Sequence, residues 1–236
     1  MSDAPALLET VGLTAFYGDF QALFGIDFTL DEGETIAVIG ANGAGKSTFL
    51  RSVVGQLGSP AESVLYRGRP IGALPAHRIV RMGIALVPEG RKLFPSLSVE
   101  ENLGLGAYGG RVGPWRLERV YDLFPALKER RTTPATALSG GEQQMCAIGR
   151  SLMSNPELLL CDEISLGLAP IVIRDIYQTL PRIIEDGTAL LLVEQDIQQA
   201  MAITNRIYCF QEGRISLSGK AGEISRDQIS AAYFGV

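Results

Sequence analysis

Short apolar runs alternate with segments of helical periodicity along much of the chain. Residues 35–39, 84–87 and 158–161 are mostly apolar, the pattern of strands that are buried on both faces. Residues 188–193 form another run of this kind. Residues 171–185 carry apolar side chains at helical spacing, which predicts one helix over this stretch. Since strands that alternate with helices form parallel sheets covered on both faces, the pattern predicts an α/β fold with a mostly parallel sheet.

Two stretches depart from this alternation. Residues 22–30 alternate partly between apolar and polar side chains, which predicts strands of an N-terminal antiparallel β-subdomain. Residues 98–155 have a mostly helical pattern and interrupt the series of strands. We therefore expect a single domain, in which about residues 1–88 and 156–236 form the β-subdomain and the core of the fold, and about residues 89–155 form an inserted helical subdomain.

Composition narrows the class of protein. Apolar residues make up 46% of the chain and charged residues 20%, which is typical of a globular protein with a buried core. A mildly acidic net charge of -5 gives no indication of a nucleic-acid partner. No apolar stretch reaches the roughly 18 residues of a membrane span, and the N-terminus does not resemble a signal peptide, so any role at a membrane requires a partner. Cys146, Cys161 and Cys209 lack a CxxC spacing, which favours a reduced cytosolic chain with buried thiols.

A glycine-rich loop, here called the phosphate loop, follows the predicted strand at residues 35–39 and precedes a helix that begins near Lys46. It fits the pattern G-x-x-x-x-G-K-[ST] with Gly40, Ala41, Asn42, Gly43, Ala44, Gly45, Lys46 and Ser47. Glycines let backbone N–H groups approach a phosphate closely, and the helix N-terminus adds partial positive charge. We expect Lys46 at the outer phosphates and the Ser47 hydroxyl on magnesium, and we extend the nucleotide-binding set to Thr48.

The alternative is a glycine-rich turn without function, and the flanking strand and helix argue against it. On its own, the phosphate loop indicates only a nucleoside triphosphate. Kinases, GTPases and motor ATPases share it, so the loop does not select the reaction.

Two carboxylates, Asp162 and Glu163, directly follow the apolar run at residues 158–161. Ligands of open parallel sheets bind at the carboxyl ends of the strands. We expect Asp162 to hold the magnesium shell and Glu163 to polarise the attacking water as a general base. The alternative is a solvated pair of carboxylates in a loop, and the presence of the phosphate loop argues against it.

A second glycine-containing segment, residues 138–144, precedes another helix. Ser139 can cap this helix, and Gly140 and Gly141 leave its first N–H groups open to an anion. An ordinary helix cap is the alternative. The order of phosphate loop, this segment and acidic pair resembles the ATPase subunits of ABC transporters over nearly the whole chain. Residues 139–142 resemble that family's signature loop, with Glu142 where Gln is commoner.

The resemblance implies a fold, an activity and an assembly. The implied fold is the P-loop NTPase fold, and the implied ligands are ATP and Mg²⁺. In that family, two chains pack head to tail and sandwich two ATP molecules, so that the signature loop closes on nucleotide held by the second subunit. The second subunit would be a sister ATPase or another copy of this chain, and the importers that this chain resembles usually pair two different ATPases.

The same resemblance assigns three further positions. Tyr17 resembles the aromatic residue that stacks on adenine, with a core aromatic at a strand end as the alternative. Glu89 falls where most members carry the Gln that touches magnesium and water. Gln195 falls where most members carry the switch histidine, and it can hydrogen-bond the γ-phosphate without taking up a proton. The only histidine, His77, is far from that place in the sequence and is expected at the surface.

Several segments resemble the second ATPase subunit of branched-chain amino acid importers. They are residues 87–91, 93–95, 98–103, 165–170 and 192–195. Urea and short-chain amide importers carry very similar subunits, so the solute stays open. The resemblance implies transmembrane permease subunits, a solute-binding protein that acts indirectly, and a cytoplasmic position on the inner face of the cell membrane.

The permease subunits are expected to dock on residues 89–108, with Arg91, Leu93, Phe94 and Leu97 as contact candidates. Phe94 beside Leu93 can anchor a partner helix. A core aromatic of the helical subdomain is the alternative for Phe94.

Three other classes of protein are weighed against a transporter ATPase. A soluble ABC ATPase of translation or DNA repair usually carries two cassettes or a long coiled coil, and this sequence has neither pattern. A non-catalytic module is disfavoured by Lys46, Ser47, Asp162 and Glu163. A different phosphate-loop enzyme, such as a small-molecule kinase, is disfavoured by the signature loop.

Overall fold

The computed structural model describes residues 5–234, which form two compact units. The first unit comprises the residues up to Ile79 together with those from Ala189 onward, and the second comprises Val80–Thr188. The sequence-based division, with an inserted helical subdomain at about residues 89–155, stays a prediction.

Strands and helices alternate as the sequence predicts. The strands are β1 (Leu8–Tyr17), β2 (Phe20–Leu30), β3 (Thr35–Ile39), β4 (Val64–Tyr66), β5 (Arg69–Pro70), β6 (Ile84–Val87), β7 (Leu158–Asp162), β8 (Ala189–Glu194), β9 (Arg206–Gln211) and β10 (Arg214–Lys220). The helices are α1 (Lys46–Val53), α2 (Ala76–Met82), α3 (Val99–Gly106), α4 (Leu117–Leu123), α5 (Pro125–Glu129), α6 (Gly140–Leu152), α7 (Pro170–Tyr177), α8 (Leu180–Glu185), α9 (Ile197–Ile203) and α10 (Arg226–Phe234).

The first unit contains antiparallel and parallel pairing in separate groups of strands. Strands β2, β1, β4 and β5 form an antiparallel sheet in that order, which confirms the predicted N-terminal antiparallel β-structure. Strand β3 pairs in parallel with β8 on one side and β9 on the other, and β10 pairs antiparallel with β9. All residues of β3 and β8 are buried, in agreement with their continuous apolar runs.

The second unit combines one parallel strand pair with helices. Strands β6 and β7 pair in register from Ile84 opposite Leu158 to Val87 opposite Cys161. The longest helix, α6, has 13 residues, and α3 and α4 pack with it through side chains such as Leu103. None of the helices in the described part of the chain is long and apolar enough to cross a membrane.

The single helix predicted over residues 171–185 is wrong. Two helices, α7 and α8, occupy this stretch, and Thr179 precedes the start of α8. Pro181 lies in the first turn of α8, where its missing N–H costs no hydrogen bond. Within a continuous helix, the same proline would remove a hydrogen bond and clash with the preceding turn, so the helix restarts here.

Three phenylalanine rings form the core around α1. The ring centroid of Phe49 lies 5.1 Å from that of Phe28 and 5.5 Å from that of Phe210. All three side chains are fully buried, and they come from α1, β2 and β9. The helix that follows the phosphate loop is therefore fixed by aromatic packing on both strands.

The cysteines are buried and unbridged, as expected. Cys146, Cys161 and Cys209 lie on α6, β7 and β9. Burial raises the pKa of the Cys146 and Cys209 thiols to about 11 each. These two thiols therefore remain protonated at neutral pH.

We predict that Phe49→Ala lowers the free energy of unfolding by about 3–5 kcal/mol, because it leaves a cavity between two rings. Phe20→Ala is the matched control, since the Phe20 side chain is 71% exposed. The control should change the free energy by no more than about 0.5 kcal/mol. Urea unfolding followed by circular dichroism measures both, and equal losses in the two variants would contradict the packing role of Phe49.

Candidate functional site

The phosphate loop surrounds the ammonium group of its own lysine. Lys46 is only 4% exposed, and its Nζ donates to the carbonyl oxygens of Gly40 at 2.7 Å and Ala41 at 3.1 Å. These bonds hold the lysine inside the loop, ahead of the N-terminus of α1. A helix start with its first N–H groups turned to one side, beside a buried cation, is suited to bind a polyanion.

Two glycines of this loop are required by its shape. A Cβ on Gly40 would lie 2.3 Å from the carbonyl oxygen of Phe210. Gly45 has φ +102°, and a Cβ there would lie 2.9 Å from Cδ2 of Leu23. Any larger residue at either position would therefore push the loop away from its neighbours.

The turn between β9 and β10 is hydrogen-bonded to the phosphate loop. The N–H of Gly213 donates to the carbonyl of Ala44 at 3.0 Å, and the N–H of Phe24 donates to the carbonyl of Gly213 at 2.9 Å. Gly213 belongs to the turn between β9 and β10. The loop is thus hydrogen-bonded to the turn between β9 and β10, and that turn is itself hydrogen-bonded to β2 of the antiparallel sheet.

Tyr17 lies beside the N-terminal turn of α1. Its ring is 43% exposed, so the interpretation as a core aromatic is wrong. The Tyr17 hydroxyl lies 3.4 Å from Oγ1 of Thr48 and accepts from Nη1 of Arg51 at 3.3 Å. An exposed aromatic ring is thereby held next to the phosphate loop, where a base can stack on it. No pattern in the sequence had indicated a role for Arg51.

Gln195 directly follows β8, one of the two strands that pair with β3. Ile39 and Glu194 are partners in the parallel register, so that the phosphate loop and Gln195 continue from adjacent strand ends. Glu194 is buried, Gln195 is half-buried, and Asp196 caps α9 by accepting from the N–H groups of Gln198 and Gln199. The first unit therefore brings Lys46, Tyr17 and Gln195 to one region. His77 is exposed, as predicted.

The acidic pair lies at the carboxyl end of β7 in the second unit. Asp162 is buried as the last residue of the strand, and Glu163 has φ +49°. A non-glycine residue in this left-handed region costs about 1–3 kcal/mol and is typical of functional sites. Because Val87 pairs with Cys161, Glu89 follows the adjacent strand end, where its side chain is exposed. Asp162, Glu163 and Glu89 thus share one edge of the parallel pair.

The signature loop forms a reciprocal helix cap. Oγ of Ser139 accepts from the N–H of Glu142 at 3.3 Å, and Oε2 of Glu142 accepts from the N–H of Ser139 at 2.8 Å. Arg130 lies 3.6 Å from the Glu142 carboxylate. Burial on its own raises the pKa of a carboxyl, but the hydrogen bonds from Ser139 and the charge of Arg130 outweigh it, so the pKa of Glu142 lies below its ordinary value.

The two glycines of the signature loop lie against neighbouring side chains. A Cβ on Gly141 would lie 2.5 Å from Cγ1 of Val172, and one on Gly140 would lie 3.3 Å from Nη2 of Arg91. Gln143 ties the segment before the loop by donating to the carbonyls of Ala135 at 3.1 Å and Leu138 at 3.3 Å. Backbone and side chains therefore fix the loop in place.

The segment from Glu89 to Tyr108 presents apolar side chains outward. Phe94 is 52% exposed, so the interpretation as a core aromatic is wrong. Buried Asn102 anchors its backbone by accepting from the N–H of Phe94 at 2.9 Å and by donating to the carbonyls of Leu97 at 3.1 Å and Ser98 at 3.0 Å. Sequence reasoning missed Asn102, because nothing in its local pattern distinguishes it from a surface residue.

Comparison with known proteins identifies relatives over most of the chain. The sequence profile of the family described as "ABC transporter" matches residues 23–165. The chain is 42% identical over 226 residues to the high-affinity branched-chain amino acid transport ATP-binding protein BraG of Pseudomonas aeruginosa, covering 94% of this chain and 97% of that protein. It is 34% identical over 221 residues to the probable branched-chain amino acid transport ATP-binding protein LivF of Archaeoglobus fulgidus, covering 92% and 94%.

Solved structures show the same fold. The structure of an ATP-binding subunit of an ABC transporter superposes with a TM-score of 0.84 at 25% identity, covering 97% of this chain and 99% of the other. A dimeric structure of MJ0796, a bacterial ABC transporter cassette, superposes with a TM-score of 0.80 at 25% identity, covering 91% and 98%. These likenesses confirm the predicted P-loop NTPase fold of an ABC ATPase.

We predict a pH-dependent stability difference between wild type and Glu142→Gln. Because the folded-state pKa of Glu142 is lowered, its stabilising contribution is present at neutral pH and is lost as the pH falls through that pKa. The wild type should be the more stable form at pH 7, and the difference should shrink between about pH 5 and pH 3.

Chemical denaturation at several pH values measures this difference. Gln at position 142 can still form the capping box, so only the ionisable part is removed. In a Ser139→Ala background, the difference should shrink at pH 7 as well, since one source of the lowered pKa is absent. A difference that does not vary with pH would contradict the assignment.

Proposed function

This chain belongs to the ABC transporter family, and on that premise we propose that it is the ATP-hydrolysing subunit of a branched-chain amino acid importer. The observation that carries the ATPase proposal is the phosphate loop, with buried Lys46 at the start of α1. The importer proposal rests on the 42% identity with BraG, which extends over nearly the full length of both proteins.

The first unit supplies the nucleotide-binding residues. The N–H groups of the phosphate loop and of Thr48 bind the phosphates, and Lys46 exchanges its bonds to the loop carbonyls for bonds to the outer phosphate oxygens. The ring of Tyr17 stacks on adenine, a contact of about 1–3 kcal/mol in nucleic-acid sites. Residues 40–48 and Tyr17 are therefore the proposed binding set.

Magnesium ligands of the expected type are present. Mg²⁺ is usually bound through one or two protein oxygens, with substrate phosphates and waters completing the shell. The Ser47 hydroxyl and the buried Asp162 carboxylate fit that donor set, and exposed Glu89 offers a further carboxylate. Bound magnesium would neutralise charge on the phosphates.

Glu163 and Gln195 are proposed to handle the attacking water and the γ-phosphate. Glu163 accepts the proton of the water as the general base, from a left-handed backbone position that fixes its direction. Gln195 donates a hydrogen bond to a γ-phosphate oxygen and takes up no proton. Because the only histidine, His77, is exposed on α2, the mechanism does without a histidine relay.

The signature loop is proposed to act on nucleotide held by a facing subunit. The N–H groups of Gly140 and Gly141 lie at the N-terminus of α6, and the cap formed by Ser139 and Glu142 keeps them in position. The dimeric MJ0796 cassette is consistent with a paired assembly. In the cell, a sister ATPase is the proposed partner, and an identical copy can take its place in the isolated protein.

The membrane partner is proposed to dock on residues 89–108. Phe94 is exposed, and its backbone is rigidly held by Asn102, so it is suited to anchor a partner helix. Permease subunits would thereby hold the chain at the inner face of the cell membrane, with a solute-binding protein acting on the permease from outside.

We predict that Glu163→Gln abolishes hydrolysis and preserves ATP binding. Loss of the general base should lower the rate by about 10²–10⁴-fold. With ATP and magnesium, the variant should shift from monomer to dimer on size-exclusion chromatography, because the ATP that holds the two chains together is no longer hydrolysed. Glu118→Gln, at an exposed side chain, is the control and should retain activity. Unchanged hydrolysis in Glu163→Gln would refute the assigned base.

We predict that cells without this chain lose uptake of labelled leucine, isoleucine and valine. Wild type should restore uptake, and Glu163→Gln should not, since import depends on hydrolysis. Uptake of labelled urea is measured in parallel. Loss of urea uptake with intact leucine uptake would assign the chain to an amide importer instead.

A further inference from the structure

The guanidinium of Arg91 lies against the signature loop within the second unit. Its Nη2 and Cζ atoms lie 3.3 Å and 3.6 Å from the position that a Cβ on Gly140 would take. Its Nη1 donates to Oε1 of Gln143 at 3.3 Å, one turn into α6. A half-buried cation therefore sits directly at the start of this helix.

Several bonds hold Arg91 in this place at a cost in backbone strain. Arg91 and Lys92 have φ +65° and +46°, in the left-handed region. Arg150 donates to both of their carbonyls, at 3.1 Å to Arg91 and 2.9 Å to Lys92. The N–H of Arg91 donates to the carbonyl of Pro88 at 3.2 Å. Because two consecutive non-glycine residues rarely adopt this conformation, the turn is maintained by these contacts.

The placement of Arg91 adds positive charge at the start of α6. The N-terminus of a helix carries partial positive charge, so a cation there is repelled by the helix dipole. Within residues 5–234, no carboxylate forms an ion pair with Arg91. Glu142, the acidic residue of the signature loop, is bonded to Ser139 and lies beside Arg130. Arg91 therefore adds a positive charge beside the first N–H groups of α6, and no ion pair within the described residues neutralises that charge.

We propose that Arg91 is a further binding residue of the signature loop and contacts the terminal phosphate of ATP held by the facing subunit. This inference rests on the proposed function. The guanidinium adds a charged, directional donor beside the N–H groups of Gly140 and Gly141. The strained turn and the bonds from Arg150 serve to present it.

ATP-driven dimerisation of the Glu163→Gln chain tests this role. Adding Arg91→Gln should raise the ATP concentration for half-maximal dimerisation by about tenfold or more, the loss expected for a charge-assisted hydrogen bond. The ATP concentration for half-maximal dimerisation of the Arg91→Lys variant should lie between those of the parent and of the Arg91→Gln variant. Lys92→Gln is the matched control, because it removes the same charge from the next, exposed residue, and it should shift the midpoint by less than about twofold.

Binding of a fluorescent ATP analogue to the monomer separates this role from the phosphate loop. Arg91→Gln should leave that affinity unchanged, since the proposal places Arg91 on nucleotide held by the facing subunit and not on nucleotide in its own phosphate loop. Dimerisation of Arg91→Gln at the same ATP concentration as its parent would overturn the proposal, while failure of the parent to bind ATP would overturn the proposed function instead.

A second measurement does not depend on self-pairing. In the Lys46→Ala chain, tripolyphosphate is titrated while NMR follows the amide signals of Gly140 and Gly141. Saturable shifts that weaken in Lys46→Ala/Arg91→Gln are expected. The absence of such shifts, or shifts of equal affinity in both chains, would overturn the role of Arg91.

Discussion

Parallel pairing on both sides of β3 is the constraint on which the first unit depends. Ile39 lies opposite Glu194, the last residue of β8, and opposite Cys209 of β9, which runs two residues further. The pairing of β3 ends at Ile39, so the N–H groups of the backbone that follows can turn toward a ligand. The glycines permit this turn, and the aromatic packing of Phe49 fixes the helix that ends it. The order of the strands therefore determines where the phosphate loop lies, and with it the position of Lys46.

Elements with long apolar runs could be predicted from the sequence, and elements defined by contacts could not. The bounds predicted for β3 and β6 agree with the structure, because each is a continuous apolar run that is followed by a glycine or a proline. Strands β4 and β5 are too short to produce a period. The break before Pro181 was missed because the apolar spacing continues across it, although the proline itself was a signal.

In the candidate site, likewise, the residues could be predicted from the sequence but their arrangement could not. Residue types at fixed spacing identified the phosphate loop, the acidic pair and the signature loop. Their geometry was not available from spacing, since it depends on residues distant in the chain. The left-handed turn at Arg91 requires Arg150, which is 59 residues away, and the contact of Tyr17 with Arg51 spans 34 residues. Exposure likewise decided between the two interpretations of Phe94, which local pattern had left open.

The burial of the three thiols has a practical consequence for studying motion in this protein. Thiolate is the form that maleimide and iodoacetamide reagents attack, and burial keeps Cys146 and Cys209 protonated and Cys161 inaccessible. A cysteine introduced at an exposed position will react far faster than any native one. Spin labels or dyes can then be attached at chosen sites without first deleting the natural cysteines, so distances between subunits can be followed in an otherwise unaltered chain.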